Sequence, residues 1–236
     1  MKIRLRKQKK AGIPPLILPA VDGTPIQKIS GEVIDSLRYM VTRISRNGQF
    51  PSRLSVVSAL RGEGVTYISQ ALAATIANDM KARVCVVDLN WWWPSPLALA
   101  ARDNPGLAAV IAKEARLDEV IEPTGWSNLA LVPAGNMPVE HRPVTARSQE
   151  LRDILNDLST RFDYLILDIP AIHSTSDSIP LASLGESCCL VIRQGVTTVE
   201  DVRLALDEVD HLPIIGVVMN RVKLATPTSI AKLIPA

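Results

Sequence analysis

The chain has 236 residues, 47% hydrophobic, 4% aromatic and 21% charged, enough apolar material to bury one sizeable core. Its 26 basic and 24 acidic residues give +2 overall, which excludes a surface built to coat nucleic acid. Cys85, Cys188 and Cys189 lie in apolar runs without C-x-x-C spacing, and His141, His173 and His211 are scattered. These patterns exclude a disulfide frame and a Cys/His metal site, and they suit free thiols in a reducing cytoplasm.

Taken in order, the chain starts with Lys2, Arg4, Arg6, Lys7, Lys9 and Lys10, so the remaining 20 basic residues are outnumbered by the 24 acidic ones. Pro14, Pro15, Pro19 and Pro25 follow, with Gly12 and Gly23, and residues 1–27 read as a basic tail and Pro-rich linker. The tail is either a solvated terminus or an electrostatic hold on anionic inner-leaflet lipid, where each basic residue contributes about 1 kcal/mol. Nothing approaches the ~18 apolar residues of a membrane span, and the prolines interrupt any signal-peptide core. The expectation is a cytoplasmic protein, peripheral on the inner face of the membrane where the tail engages lipid.

Ser30 to Ile44 has helical spacing in Ile34, Leu37, Val41 and Ile44. An apolar run from Leu54 to Ala59 then enters Leu60-Arg61-Gly62-Glu63-Gly64, and a helix pattern begins at Thr66 with Ile68, Leu72, Ile76 and Met80 on one face. Strand, glycine loop and helix make the layout that wraps a phosphate chain, because free N–H groups and the positive end of the helix dipole face an anion there. Ala59-x-x-x-x-Gly64 matches the spacing of a phosphate loop, but Val65 occupies the place of its lysine.

Arg83 to Leu89 and Tyr164 to Ile169 are further strand-like runs, with Asp88 and Asp168 in matching places near their ends. Carboxylates at the C-terminal ends of buried strands lie where an open parallel sheet holds its ligand. Trp91, Trp92 and Trp93 cannot all point inward from one element, so at least one is expected at the surface. Ser95 to Glu122 reads as short helices broken at Pro105-Gly106, and Asn128 to Pro133 as a strand. Ser148 opens a helix with Leu151, Ile154, Leu155 and Leu158 on one face. Ser187 to Gln194 and Pro213 to Asn220 complete the strands, separated by a helix opened by a Thr197 to Glu200 capping box. The alternation predicts an α/β fold, a P-loop NTPase-like parallel sheet with helices on both faces, over 28–225, followed by a short tail, 226–236.

These motifs carry a resemblance. SALRGEGVT resembles the SALPGEGKS/T loop of bacterial tyrosine kinases, the P-loop domains that control capsule and exopolysaccharide assembly and belong with the MinD and ParA ATPases. VCVVDLNWWWP resembles their VLLVDADLRRP, and DYLILDIPA their DYVIIDTPP; the likeness continues through Asp177 and GVVMN to about Val222. It implies ATP or ADP held by Gly62, Gly64, Thr66 and Asn220, with Mg²⁺ at Thr66, Asp88 and Asp168 wherever nucleotide is bound. In the family a helix with E-x-x-R-x-x-R-x-N-I builds a ring between subunits; aligned on Ile44, this chain keeps Arg38 and offers Asp35 for the glutamate.

The departures concentrate on charge. Val65 replaces the loop lysine, Leu60 stands where MinD and ParA ATPases carry their signature lysine, and Trp92 and Trp93 replace two arginines. No tyrosine follows Tyr164, so phosphorylation of a tyrosine-rich tail is not expected. The leading reading is a degenerate, non-catalytic or weakly nucleotide-binding regulatory and assembly partner in exopolysaccharide biosynthesis and export. It would dock on a membrane polysaccharide co-polymerase through Trp92 and Trp93, with Arg38 as a contact between copies and no nucleic acid involved. Two alternatives stay open: an active atypical ATPase or tyrosine kinase using Arg61 or a partner's residue, and a MinD/ParA-like positioning protein.

Overall fold

The computed structural model describes residues 13–93 and 104–222. The basic tail, the end of the tryptophan segment from Pro94 and the C-terminal tail lie outside these residues. In chain order the elements are β1 (Leu16–Pro19), β2 (Pro25–Ile29), α1 (Gly31–Asn47), β3 (Arg53–Ser58), α2 (Val65–Met80) and β4 (Val84–Asp88). There follow α3 (Gly106–Ile111), α4 (Leu117–Val120), β5 (Glu122–Pro123), β6 (Leu129–Val132), α5 (Arg142–Ala146) and α6 (Gln149–Arg161). The last are β7 (Tyr164–Asp168), α7 (Ser178–Ala182), β8 (Ser187–Arg193), α8 (Val199–Glu208) and β9 (Ile214–Asn220).

Seven strands form one sheet in the order β5-β6-β4-β7-β3-β8-β9, parallel except for the two-residue β5. Side chains alternate across it, as the period of two requires. Leu54, Val56, Val84, Val86, Ile166, Cys189 and Val191 pack under α1 and α2. Val57, Cys85, Val87, Leu165, Leu167, Cys188 and Leu190 pack under α3 to α8. Strands buried on both faces read as near-continuous apolar runs, which is why they were visible in the sequence. The adjacent Cys188 and Cys189 point to opposite faces, and burial pushes both thiols up to about 12.

Two local readings need correction. Part of the stretch read as linker is the antiparallel hairpin β1–β2, whose Leu18 and Ile29 are fully buried. Its turn is tied by Asp22, which accepts from the Thr24 N–H at 2.9 Å, and Gly23 adopts φ +84°. The capping box of α8 is shifted by one residue: Thr198 caps and Asp201 returns the bond. Thr197 is unavailable because its hydroxyl is engaged with Arg193 and Glu63.

Candidate phosphate-loop site

The loop after β3 runs from Ala59 to Gly64 and delivers Val65 as the first residue of α2. Gly62 and Gly64 adopt φ +77° and +98°, a region where a side chain would be strained. Gly64 is required for a second reason: a Cβ there would stand 2.2 Å from the Asn220 side-chain nitrogen. That amide donates to the Glu63 carbonyl at 2.8 Å, so the end of β9 grips the loop from below.

Glu63, fully buried between the two glycines, was not singled out from the sequence. Its carboxylate accepts from the Leu60 N–H at 2.9 Å and from the Thr197 hydroxyl, which itself accepts from the Arg193 N–H at 2.8 Å. The loop is thus closed on itself and tied to the segment after β8. The only sequence signal was an acidic residue between two glycines whose backbone must turn.

On the sheet side, register pairs Asp88 of β4 directly with Asp168 of β7. Asp88 accepts from the Asn90 N–H at 2.8 Å, yet burial raises its pKa to about 7. Asp168 is 2% exposed, and one of its oxygens has no hydrogen-bond partner. Burial first and the neighbouring Asp88 second push Asp168 well above the usual carboxylate range, partly offset by the Thr66 hydroxyl. Thr66, Asp88 and Asp168 are therefore brought together. Among the described residues no group of three or more His, Cys, Asp or Glu converges, so a cation here would rely on this pair, the Thr66 hydroxyl and ligands from outside the chain.

The charged positions of the loop are spent on packing. Val65 packs against the α1–α2 side of the core, and Leu60 against the other side. Trp91 is buried and donates from its indole N–H to the Ala134 carbonyl at 2.8 Å. Trp92 and Trp93 are half-buried; the Arg61 guanidinium lies 4.0 Å from the Trp93 ring centre, and Arg142 lies 5.8 Å from that of Trp92. Arg38 lies apart from the loop, in a two-pronged ion pair with Asp79 of α2 at 2.5 and 3.0 Å.

No protein-family model matches the chain. Among curated proteins it is similar to the tyrosine-protein kinase wzc of Salmonella typhimurium, with 25% identity over 162 residues, covering 67% of this chain and 22% of that protein. It is also similar to the succinoglycan biosynthesis transport protein ExoP of Rhizobium meliloti, with 25% identity over 218 residues, 86% of this chain and 28% of that protein. The curated proteins it resembles thus include bacterial tyrosine-protein kinases and a polysaccharide biosynthesis transport protein. The chain spans about a quarter of the length of these relatives. The fold agrees: the kinase domain of the Escherichia coli tyrosine kinase ETK superposes with a TM-score of 0.73 at 21% identity, covering 82% of this chain and 78% of that one. The septum site-determining protein MinD of Pyrococcus horikoshii, solved with Mg-ADP, gives 0.59 at 24% identity, covering 78% and 76%. The sheet with its helices is thus the P-loop fold that these kinases and MinD share.

Proposed function

We propose that this chain is a degenerate kinase-like P-loop protein that binds Mg²⁺-nucleotide weakly, transfers no phosphoryl group, and serves as a regulatory or assembly partner in exopolysaccharide biosynthesis and export. The observation that carries this reading is Val65. The position that should place a cation on the terminal phosphates instead holds a half-buried valine packed against the core, one position before Thr66. Phosphoryl transfer depends on positioned positive charge, and loss of one such group costs on the order of 10³–10⁵ in rate where an arginine finger is the comparison.

What remains suits binding. The unpartnered Asp168 oxygen, the adjacent Asp88 and the Thr66 hydroxyl fit a Mg²⁺ ion, and all three would hold it. Bound there, Mg²⁺ supplies neutralisation of phosphate charge. Gly62 and Gly64 let the backbone approach the phosphates, and the free N–H groups at the start of α2 face them. Asn220 keeps that backbone in place from the Glu63 carbonyl.

Similarity to the relatives supports the pathway and a membrane partner, and the proposed docking patch is Trp92 and Trp93, whose half-buried rings stand beside Arg61 and Arg142. Among the described residues no helix is long and apolar enough to cross a membrane. In this reading the membrane partner holds the chain, assisted by Lys2 to Lys10. The retained carboxylate pair favours one competing reading, an atypical ATPase. Incubating the purified chain with Mg²⁺-ATP and a tyrosine-containing peptide separates them: release or transfer of phosphate is expected at background. Turnover that disappears in Asp168→Asn would overturn the non-catalytic reading.

A further inference from the structure

The loop that lacks its lysine still carries one cation. Arg61 is exposed, and among the described residues its guanidinium has a single partner, the Trp93 ring, whose centre lies 4.0 Å away. Arg142, on the neighbouring indole, stands 5.8 Å from the Trp92 ring centre and is already committed, its Nε–H donating to the Met137 carbonyl at 3.1 Å. Both members of the Arg61 and Trp93 pair are departures from the resembling motifs: SALPGEGKS/T has proline at position 61, and VLLVDADLRRP has arginine at position 93. A guanidinium is absent from one side of the contact and present on the other.

The ring is anchored to the cation side of the site. The Trp93 N–H donates to the Asn90 side-chain oxygen at 3.2 Å, and the Asn90 N–H donates to the Asp88 carboxylate at 2.8 Å. Two hydrogen bonds therefore tie the turn that carries Trp93 to one of the paired carboxylates. The stack joins this turn, after β4, to the loop after β3. Between those strands lies β7, which ends at Asp168 and its unpartnered oxygen. Arg61 is thus held across the end of β7 by a ring, with no anion as its partner.

We propose that Trp93 is a positioning residue that sets nucleotide specificity: its ring competes with a terminal phosphate for the Arg61 guanidinium, and so keeps nucleoside triphosphate and diphosphate nearly equivalent. This deepens, and rests on, the reading that the loop holds Mg²⁺-nucleotide. The two contacts are closely matched. Stacking of a guanidinium on an exposed indole is worth about a factor of two to five, with tryptophan the strongest of the aromatic residues. A solvent-exposed guanidinium on an anion is worth about the same factor. Turning Arg61 from ring to phosphate therefore gains little while Trp93 is present, and gains the whole of that factor once the ring is removed.

The test is calorimetric titration of the full-length chain and its variants with Mg²⁺-ADP and Mg²⁺-ATP. Trp93→Ala is expected to tighten ATP about twofold to fivefold and to leave ADP unchanged. Trp93→Phe, which keeps a ring, is expected to stay nearer the natural ratio. Arg61→Ala is expected to leave both nucleotides within about twofold, and adding it to Trp93→Ala should erase the gain, because the two residues act as one pair. Loss of packing alone would move both nucleotides together, and ADP binding reports a folded site in each variant. An ATP affinity that stays level or falls in Trp93→Ala while ADP still binds would overturn the inference and leave the binding reading intact, as would a gain that survives in the double variant. No binding of ADP by the natural chain would overturn the binding reading, and this inference with it.

Discussion

The two flanks of the phosphate loop have kept different things. Toward the sheet, Asp88 and Asp168 end adjacent strands beside Thr66 of α2, with a carboxylate oxygen left unpartnered. Toward solvent, the positions that bear lysine or arginine in the resembling motifs hold Val65, Trp92 and Trp93, and apolar packing has taken over. The frame under the loop, Glu63 with Thr197 and Asn220, is fully bonded. The backbone turn and the paired carboxylates are built by glycine conformation and strand register, which fold stability maintains. Positive charge on the outer flank contributes little to folding, so its loss leaves the architecture standing.

Breaking the sheet-side flank should have the largest effect. Both carboxyls bind protons more readily folded than unfolded, so the contribution of this pair to stability is full below pH ~4 and is lost as pH rises through about 7. Thermal melts without nucleotide should therefore show Tm falling across that window. Asp168→Asn should flatten the dependence and raise stability at pH 8, and it should abolish the rise in Tm expected on adding Mg²⁺-ADP to the natural chain. An unchanged pH profile in that variant would mean the two carboxylates do not share a site.

Next in size is the cradle. Gly64→Ala combines a left-handed backbone with a clash against Asn220, and denaturant titration should show a loss of about 1–3 kcal/mol together with loss of nucleotide binding. Asn220→Ala removes the bond to the Glu63 carbonyl and the one accepted from the Arg221 N–H, and should cost about 1–2 kcal/mol by the same measurement. The outer flank should matter least to folding: Trp93→Ala removes a stacked Arg61 and should change stability by no more than about 1 kcal/mol. The same variant should nonetheless weaken capture by a membrane co-polymerase if the tryptophans form the docking patch, as a pull-down would report.

Legibility in the sequence followed what each feature depends on. The strands were readable because burial on both faces writes continuous apolar runs, and Asp88 and Asp168 because strand ends place ligand chemistry. The β1–β2 hairpin was hidden by its prolines, which read as linker although they stand at strand ends where no ladder N–H is needed. Glu63 and Thr197 were illegible because their role is a contact across 134 residues that no local pattern announces. The position of Arg61 depends equally on a distant partner, Trp93, and its stacking there could be seen only once both were placed.

Calorimetric titration with Mg²⁺-ATP and Mg²⁺-ADP, on the natural chain and on Val65→Lys, reads out what the missing lysine would contribute. Weak, Mg²⁺-dependent binding to the natural chain is expected, with little preference between the two nucleotides. Restoring the lysine should tighten ATP by about tenfold to a hundredfold. Tight binding of ATP over ADP by the natural chain, unchanged by the lysine, would contradict this expectation, because charge from elsewhere would then be doing the work assigned to the missing residue.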